Sequence, residues 1–281
     1  MLRKRIFSRR SAHILWWPAA ALGVLIIFTS LQRQMIYHPG VAEEHELLQA
    51  AAPRGLTAWR DGNDNLIGWR PAETGNGVRR VLVFHGNAGF ALNREYFVEG
   101  FEALGQGWDV FLFEYPGYGA RPGNPSEDVI KAAAIEALEL LLRSDEKPVY
   151  LVGESLGGGV ASYLAAGYPD QVAGLLLVTP FTSLPDVAAR HFKWLPVRTL
   201  LSERYDAQEA LSDYAGPVAF LLAGDDQIVS LELGQTLHDS YDGPRWLRVV
   251  PGAGHNSLPL HPAAEWWEDM SAFLLTPRQR Q

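Results

Sequence analysis

The spacing of apolar residues divides the chain into parts of different character. From Ile14 to Leu31 the chain runs 18 residues without a charge, whereas from residue 53 onward short apolar runs alternate with stretches of helical periodicity. The intervening residues show no regular pattern beyond a Glu-rich stretch. These patterns predict four parts: a basic leader at 1–13, a membrane-spanning helix at 14–31, a tether at 32–52 and a folded domain at 53–281.

The uncharged segment fits a membrane anchor better than two alternatives. At about 1.5 Å per residue it extends roughly 27 Å, close to the hydrocarbon core of about 30 Å. Trp16 and Trp17 stand at its start, where indole rings favour the headgroup level. A helix of a soluble core would not be apolar on every face, and a cleaved signal peptide would end in an A-x-A site, which FTSLQ lacks. Five cations precede the segment, so the N-terminus is expected in the cytoplasm.

Residues 53–281 alternate between strands and helices. The predicted strands include a hairpin at 56–60 and 66–70 and apolar runs at 80–85, 108–115, 148–153, 172–179, 217–223 and 246–250. Helical periodicity occupies 93–104, 126–143, 156–166, 230–240 and 262–275. This alternation predicts an α/β domain with a mostly parallel central sheet and helices on both faces. Residues 181–216 interrupt the alternation and predict a small inserted cap.

Composition and charge exclude several classes of function. The chain has 47% hydrophobic and 20% charged residues, which is ordinary for a globular protein. Residues 1–33 carry a formal charge of +6, so the remaining 248 residues carry −14 of the net −8. Such an acidic body is a poor partner for nucleic acid. Cysteine is absent, which excludes disulfides, thiolate catalysis and cysteine-ligated metals.

A candidate nucleophile follows the apolar run at 148–153. Gly153, Ser155 and Gly157 form a G-x-S-x-G pattern between a predicted strand and a predicted helix. In this context the serine sits on a sharp turn with its hydroxyl exposed, and the glycines let the helix pass close to the strand. The alternative is a glycine-rich turn that serves helix packing alone.

A serine hydroxyl needs a base that a third group orients, and two later strand ends supply candidates. Asp225 and Asp226 follow the run at 217–223, and His255 follows the run at 246–250 between glycines. Their order of serine, acid, histidine matches a nucleophile on such a turn. Adjacent residues point in different directions, so only one of the two aspartates faces His255, and the residues alone leave that choice open. Apart from His85, which is considered below, the other histidines fall in the leader, tether, cap or predicted helices: His13, His38, His45, His191, His238 and His261.

Backbone N–H groups are the expected donors to the oxyanion of a tetrahedral intermediate. One is the N–H of Leu156, directly after the nucleophile. The other is expected in the glycine-rich turn His85–Gly89, where we assign it to Asn87. We expect His85 to support this turn and not to act as a second base.

Taken together, these motifs resemble those of α/β-hydrolases. The similarity is narrower to a single-pass, membrane-anchored branch that includes depalmitoylating thioesterases and many uncharacterised bacterial members. In that branch the acid is followed by one residue and then Ile-Val, which implies Asp226. The chain departs from the branch at Glu114, where Asp-Tyr-Arg is common, and at Ser230, where proline is common and we expect a helix cap. The motifs are these: HGNAG at 85–89, YPGYG at 115–119, GESLG at 153–157, DQIV at 226–229 and GHN at 254–256.

The sequence thus predicts a serine hydrolase of carboxylic esters or thioesters, with Ser155, Asp226 and His255 as its triad. No cofactor is expected, and no metal-ligand spacing such as H-E-x-x-H occurs. Its partners are expected to be a small-molecule or lipid-like acyl ester and the membrane, with the catalytic domain on the periplasmic side of a bacterial inner membrane. An amidase or peptidase with the same triad and a non-catalytic binding module remain as alternatives. The oligomeric state and the acyl group are left open, since aromatic residues in a cap serve its own core as often as a ligand.

Overall fold

A computed structural model describes residues 23, 26, 31–73, 77–105, 107–144 and 146–276. Its centre is an eight-stranded sheet with the spatial order β8-β7-β6-β5-β3-β4-β2-β1. The strands are β1 Leu56–Arg60, β2 Leu66–Pro71, β3 Arg79–Phe84, β4 Trp108–Phe113, β5 Val149–Glu154, β6 Val172–Val178, β7 Val218–Ala223 and β8 Arg245–Val250.

The sheet is parallel from β3 to β8, and only β2 runs antiparallel to its neighbours β1 and β4. The predicted α/β class with a mostly parallel sheet is therefore confirmed, and so is the hairpin of β1 and β2. Parallel strands end at one edge of the sheet, so the loops after β3, β5, β7 and β8 meet there. Strand β5 lies near the middle and is buried up to its last residue, whereas β8 is an edge strand with several exposed side chains.

Helices cover both faces of the sheet. They are α1 Glu44–Ala51, α2 Glu95–Ala103, α3 Glu127–Ser144, α4 Leu156–Gly167, α5 Leu184–His191, α6 Val197–Leu200, α7 Ala207–Leu211, α8 Leu231–Ser240 and α9 Trp266–Leu274. Alternate side chains of β3 point to opposite faces, as the strand period of two requires. Leu82 and Phe84 pack with α3, α4 and α8 on one side, and Val81 and Val83 pack with α2 and α9 on the other.

Two predicted helices begin later than their patterns indicate. In the segment predicted at 93–104, a 3-10 turn at Ala91–Arg94 comes first and the α-helix α2 starts only at Glu95. The last helix starts at Trp266 and not at 262. Residues 181–216, which the sequence predicts as an inserted cap and which are called the cap below, contain the three short helices α5, α6 and α7.

The segment at 32–52 differs from the predicted tether. Residues 31–36 are helical, His38–Pro39 pairs in parallel with Ala88–Gly89, and α1 follows. Tyr37 and Leu47 are buried. The segment lacks a regular apolar period because its partners lie far away in the sequence, in the cap and beside β3.

Within the described residues no helix is both long enough and apolar enough to cross a membrane. The predicted span at 14–31 falls outside them except for Gly23, Ile26 and Leu31. The predicted leader at 1–13 lies wholly outside the described residues.

Candidate active site

Ser155 occupies a strained turn between β5 and α4. Its φ of 51° and ψ of −114° lie in a region that residues other than glycine rarely adopt. Two hydrogen bonds hold the turn: the Ser155 N–H donates to the Val178 carbonyl (2.8 Å), and the Ser155 carbonyl accepts from the Gly158 N–H (2.9 Å). The strand and the helix together therefore fix the serine in this conformation.

The two glycines of the motif are required by close backbone contacts. A Cβ at Gly153 would lie 2.5 Å from the Gly157 carbonyl oxygen, and a Cβ at Gly157 would lie 2.1 Å from the Phe84 carbonyl oxygen. At Gly158 the nearest atom would be 3.6 Å away, an ordinary contact. Gly153 and Gly157 thus let α4 start directly against β5 and β3. Gly158 is not required in this way, because a Cβ there would make only an ordinary contact.

The structure brings Ser155, His255 and Asp226 together in one chain of hydrogen bonds. His255 Nε2 lies 3.1 Å from Ser155 Oγ, and His255 Nδ1 lies 2.7 Å from Asp226 Oδ2. With the proton on Nδ1, the imidazole donates to the carboxylate, and Nε2 is left to accept from the serine hydroxyl. The three residues come from the ends of β5, β7 and β8, as the sheet topology requires.

The geometry separates the two adjacent aspartates. Asp225 is exposed, and its N–H donates to the Ala253 carbonyl (2.8 Å), which ties the loop after β7 to the loop after β8. Asp226 is buried and points to His255. Its Oδ1 also accepts hydrogen bonds from the N–H groups of Ile228 (2.8 Å) and Val229 (2.9 Å).

These hydrogen bonds determine the charge state of Asp226. Burial alone would raise the pKa of its carboxyl group, but the hydrogen bond and charge of His255 and the two backbone N–H groups lower the pKa below its usual value. Asp226 is therefore ionised at neutral pH and accepts from all three donors at once.

Leu156 and Asn87, the predicted oxyanion donors, both line a cavity at Ser155. Leu156 is the first residue of α4, so its N–H has no acceptor within the helix. Neither N–H donates to another group of the described residues. The Asn87 carbonyl points elsewhere, because it accepts from the His38 N–H (2.9 Å) and the Tyr118 hydroxyl (2.8 Å).

His85 is buried away from the triad. Its ring lies against Tyr115, with 3.9 Å between the ring centroids, and its Nε2 is 3.4 Å from Glu114 Oε1. Glu114 accepts from the Ala91 N–H (2.9 Å) through the same oxygen. Glu114, one of the departures from the branch pattern, therefore packs behind the turn at 85–89 and not in the site itself.

A polar network around Glu154, the residue before Ser155, was not predicted from the sequence. The Glu154 carboxylate accepts two hydrogen bonds from Arg94, of 3.0 and 3.1 Å, and another from the Tyr96 hydroxyl. Burial favours a higher pKa of Glu154, but the Arg94 charge and these hydrogen bonds lower it below its usual value. The only available signal was an acidic residue at the end of an otherwise apolar strand.

An apolar cavity of about 220 Å³ opens beside Ser155. The cap supplies Phe181, Leu184, Val187 and Phe192 to its walls, and the loop after β7 supplies Ile228. His191, predicted only as a cap residue, also lines it and contacts the Ile228 carbonyl (2.7 Å) through Nε2. Other wall residues precede the sheet in the sequence: Gln32, Met35 and Ile36.

Ser230 does not form the expected helix cap. It stands at the N-cap position of α8, but its hydroxyl accepts no capping hydrogen bond and its φ is 69°. A positive φ is a conformation that residues other than glycine rarely adopt. Proline, which is common here in the resembling branch, has φ fixed near −65° and would not fit.

Comparisons with known proteins agree with this architecture. A family model described as the alpha/beta hydrolase fold matches residues 79–210. An uncharacterized protein of Mycobacterium tuberculosis is 39% identical over 244 residues, which cover 84% of each chain. The lysophosphatidylserine lipase of Danio rerio is 29% identical over 205 residues, which cover 66% of this chain and 53% of the lipase. The chain thus spans about half the length of that lipase.

Solved esterase structures share the fold at low sequence identity. The chain superposes on Est1E from Butyrivibrio proteoclasticus with a TM-score of 0.61 and 16% identity, over 78% of this chain and 98% of that chain. An esterase of Pyrococcus furiosus gives a TM-score of 0.62 and 17% identity, over 84% and 98% of the two chains.

Proposed function

Because the chain belongs to the α/β-hydrolase family, we propose that it is a serine hydrolase that cleaves esters or thioesters of apolar acyl groups. The observation that carries the proposal is the continuous path Asp226, His255, Ser155 at the edge of an apolar cavity. A packing turn would explain the glycines but not a histidine and a buried carboxylate aligned with the serine hydroxyl.

The geometry supports a two-step mechanism. Ser155 Oγ attacks the acyl carbonyl carbon while His255 Nε2 takes the hydroxyl proton, and the Asp226 carboxylate stabilises the imidazolium that forms. The imidazolium then gives its proton to the leaving alkoxide or thiolate as the C–O or C–S bond breaks. Water attacks the acyl-enzyme with His255 again as base, which releases the carboxylic acid and restores Ser155.

In this proposal the backbone N–H groups of Leu156 and Asn87 stabilise the tetrahedral intermediate. Both residues line the cavity together with Ser155, and their N–H groups are not used by other acceptors of the described residues. A negative carbonyl oxygen would supply the acceptor that both lack. Donors fixed in advance in a site of this kind contribute about 2.7–4 kcal/mol each to lowering the barrier.

The cavity favours an acyl group without charge. Its walls are mostly apolar side chains of the cap and of residues 35–36. The similarity to proteins named lysophosphatidylserine lipase supports a lipid ester with one acyl chain as a substrate class. We further propose that residues 14–31 anchor the chain in a bacterial inner membrane with the catalytic domain on the periplasmic side; protease accessibility in intact spheroplasts would test this orientation.

The test of the proposed function uses Ser155→Ala in the full-length chain. A fluorophosphonate probe should label the unsubstituted protein and not the variant, and turnover of p-nitrophenyl esters should fall to the background rate. Asp225→Asn serves as the matched control because Asp225 is exposed and outside the hydrogen-bonded chain. Labelling of the Ser155→Ala variant would refute the assignment.

A further inference from the structure

The residues that follow the predicted membrane span are bound to the cap. The Gln32 side-chain oxygen accepts from the Ser202 N–H (2.8 Å), and Arg33 Nε donates to Glu203 (2.9 Å). The Tyr37 hydroxyl donates to the same buried carboxylate and lies 2.8 Å from the Tyr205 hydroxyl. These contacts hold residues 32–40, here called the entry segment, against the domain.

The entry segment also forms one wall of the cavity at Ser155. Met35 and Ile36 line it together with the cap residues. Ile36 packs on the small apolar cluster of the cap around Val197 and Leu201, whereas Met35 is 45% exposed. Met35 thus belongs to the solvent-exposed part of the cavity wall, whereas Ile36 is half-buried against the cap.

The same segment is hydrogen-bonded to the turn that carries the proposed oxyanion donor. Asn87 Nδ2 donates to the Ile36 carbonyl (2.8 Å), and the His38 N–H donates to the Asn87 carbonyl (2.9 Å). Two residues further along both segments, the Gly40 N–H donates to the Gly89 carbonyl (2.8 Å). The position of the Asn87 backbone thus depends on the entry segment on two sides.

We propose that the entry segment is a working part of the active site: Met35 and Ile36 determine which acyl chains fit, and the Asn87–Ile36 hydrogen bond positions the oxyanion turn. The inference rests on the proposed serine hydrolase function. It differs from the role of a passive tether because a tether would affect neither chain-length preference nor the chemical step. Residue 32 directly follows the predicted span, so the wall of the acyl site would continue into the membrane anchor without a linker.

Met35 tests the specificity half of this proposal. In the full-length protein in detergent, Met35→Ala enlarges the mouth and should raise the ratio of kcat/KM for p-nitrophenyl decanoate over the butyrate, while Met35→Trp should lower it. A difference of one or more methylenes in an apolar site changes selectivity about tenfold or more. Val41→Ala is the matched control, since Val41 follows the segment, is 77% exposed and does not line the cavity. An unchanged ratio in both Met35 variants overturns the assignment.

Asn87 tests the positioning half. Asn87→Ala removes the hydrogen bond to Ile36 but leaves the backbone N–H in place. We expect kcat for the butyrate ester, expressed per fluorophosphonate-titrated site, to fall about tenfold, with KM changed less than about twofold. A purely structural role would lower the titratable fraction or Tm and leave kcat per titrated site unchanged, and that result overturns the positioning role.

Ser155→Ala distinguishes failure of the inference from failure of the proposed function. If Ser155→Ala abolishes labelling and turnover while the Met35 and Asn87 variants behave as the unsubstituted protein, only the inference is wrong. If Ser155→Ala keeps its turnover, the proposed function itself is wrong.

Discussion

Replacement of Asp226 by asparagine gives the sharpest test of the candidate triad. The asparagine side-chain oxygen can still accept from the N–H groups of Ile228 and Val229, so the loop after β7 should keep its conformation. Its NH₂ group then faces His255 Nδ1, where the carboxylate now accepts at 2.7 Å. Nδ1 must become the acceptor, and the ring proton moves to Nε2. The imidazole can then no longer take the proton of Ser155.

The expected loss has two components. The Asp226 charge stabilises the imidazolium of the transition state, and two unit charges about 4 Å apart attract each other by about 4 kcal/mol at an effective dielectric constant of about 20. The wrong tautomer adds to this loss. An Asp-to-Asn change in a Ser-His-Asp triad lowers kcat by about 10⁴-fold, or about 5.5 kcal/mol. We therefore expect kcat to fall by about 10³- to 10⁴-fold.

The assay measures kcat for a short p-nitrophenyl ester at neutral pH, with Asp225→Asn beside it. Asp225→Asn should stay within about twofold of the unsubstituted protein, because Asp225 contributes its backbone N–H to the loop and its side chain to solvent. Asp225→Asn should keep the Tm, whereas Asp226→Asn should lower it modestly, because the pKa of the Asp226 carboxyl group is lower in the folded state. If Asp226→Asn retained more than about a tenth of kcat, or if Asp225→Asn lost as much, the assignment of the acid would be wrong.

Two further predictions concern the structure around the nucleophile. Gly157→Ala places a Cβ 2.1 Å from the Phe84 carbonyl oxygen and should lower the free energy of unfolding, measured in urea, by about 3 kcal/mol. A Cβ at Gly158 would meet nothing closer than 3.6 Å, so Gly158→Ala should leave the free energy of unfolding unchanged or slightly higher. Glu154→Gln should cost about 1–3 kcal/mol at pH 7 because Arg94 loses its ionised partner. The pKa of Glu154 is lower in the folded state, so its stabilisation is complete above about pH 4.3 and is lost as the pH falls through the folded pKa. A difference between the two proteins that stayed constant to pH 3 would contradict this account.

The sequence predicted the central sheet and the nucleophile turn well because both depend on local patterns. Strands buried on both faces appear as uninterrupted apolar runs. The two glycines of G-x-S-x-G mark positions where close backbone contacts leave no space for a Cβ. The two aspartates were different. Both follow β7 directly, and only the resemblance to a family favoured Asp226. In the structure the choice comes from the backbone N–H groups of Ile228 and Val229, which hold one carboxylate toward His255.

The structure of residues 32–52 could not be predicted because their partners are remote. Tyr37 donates to Glu203, 166 positions further along the chain, so nothing in the local periodicity indicates that the tyrosine is buried. The predicted helix cap at Ser230 was wrong for a local reason and not because of remote partners. Residue type favoured a cap, but Ser230 has a positive φ and its hydroxyl accepts no capping hydrogen bond.

The position of His255 after an edge strand has a consequence for how the protein loses activity. The serine follows the buried strand β5, whereas the histidine follows β8, which pairs on one side only and keeps several side chains in solvent. Local opening of an element with few buried contacts requires less free energy than global unfolding. Release of β8 would withdraw the base while the remaining sheet stayed intact. Turnover would then be lost through local opening of β8, and mild urea should abolish turnover before far-ultraviolet circular dichroism reports unfolding of the domain.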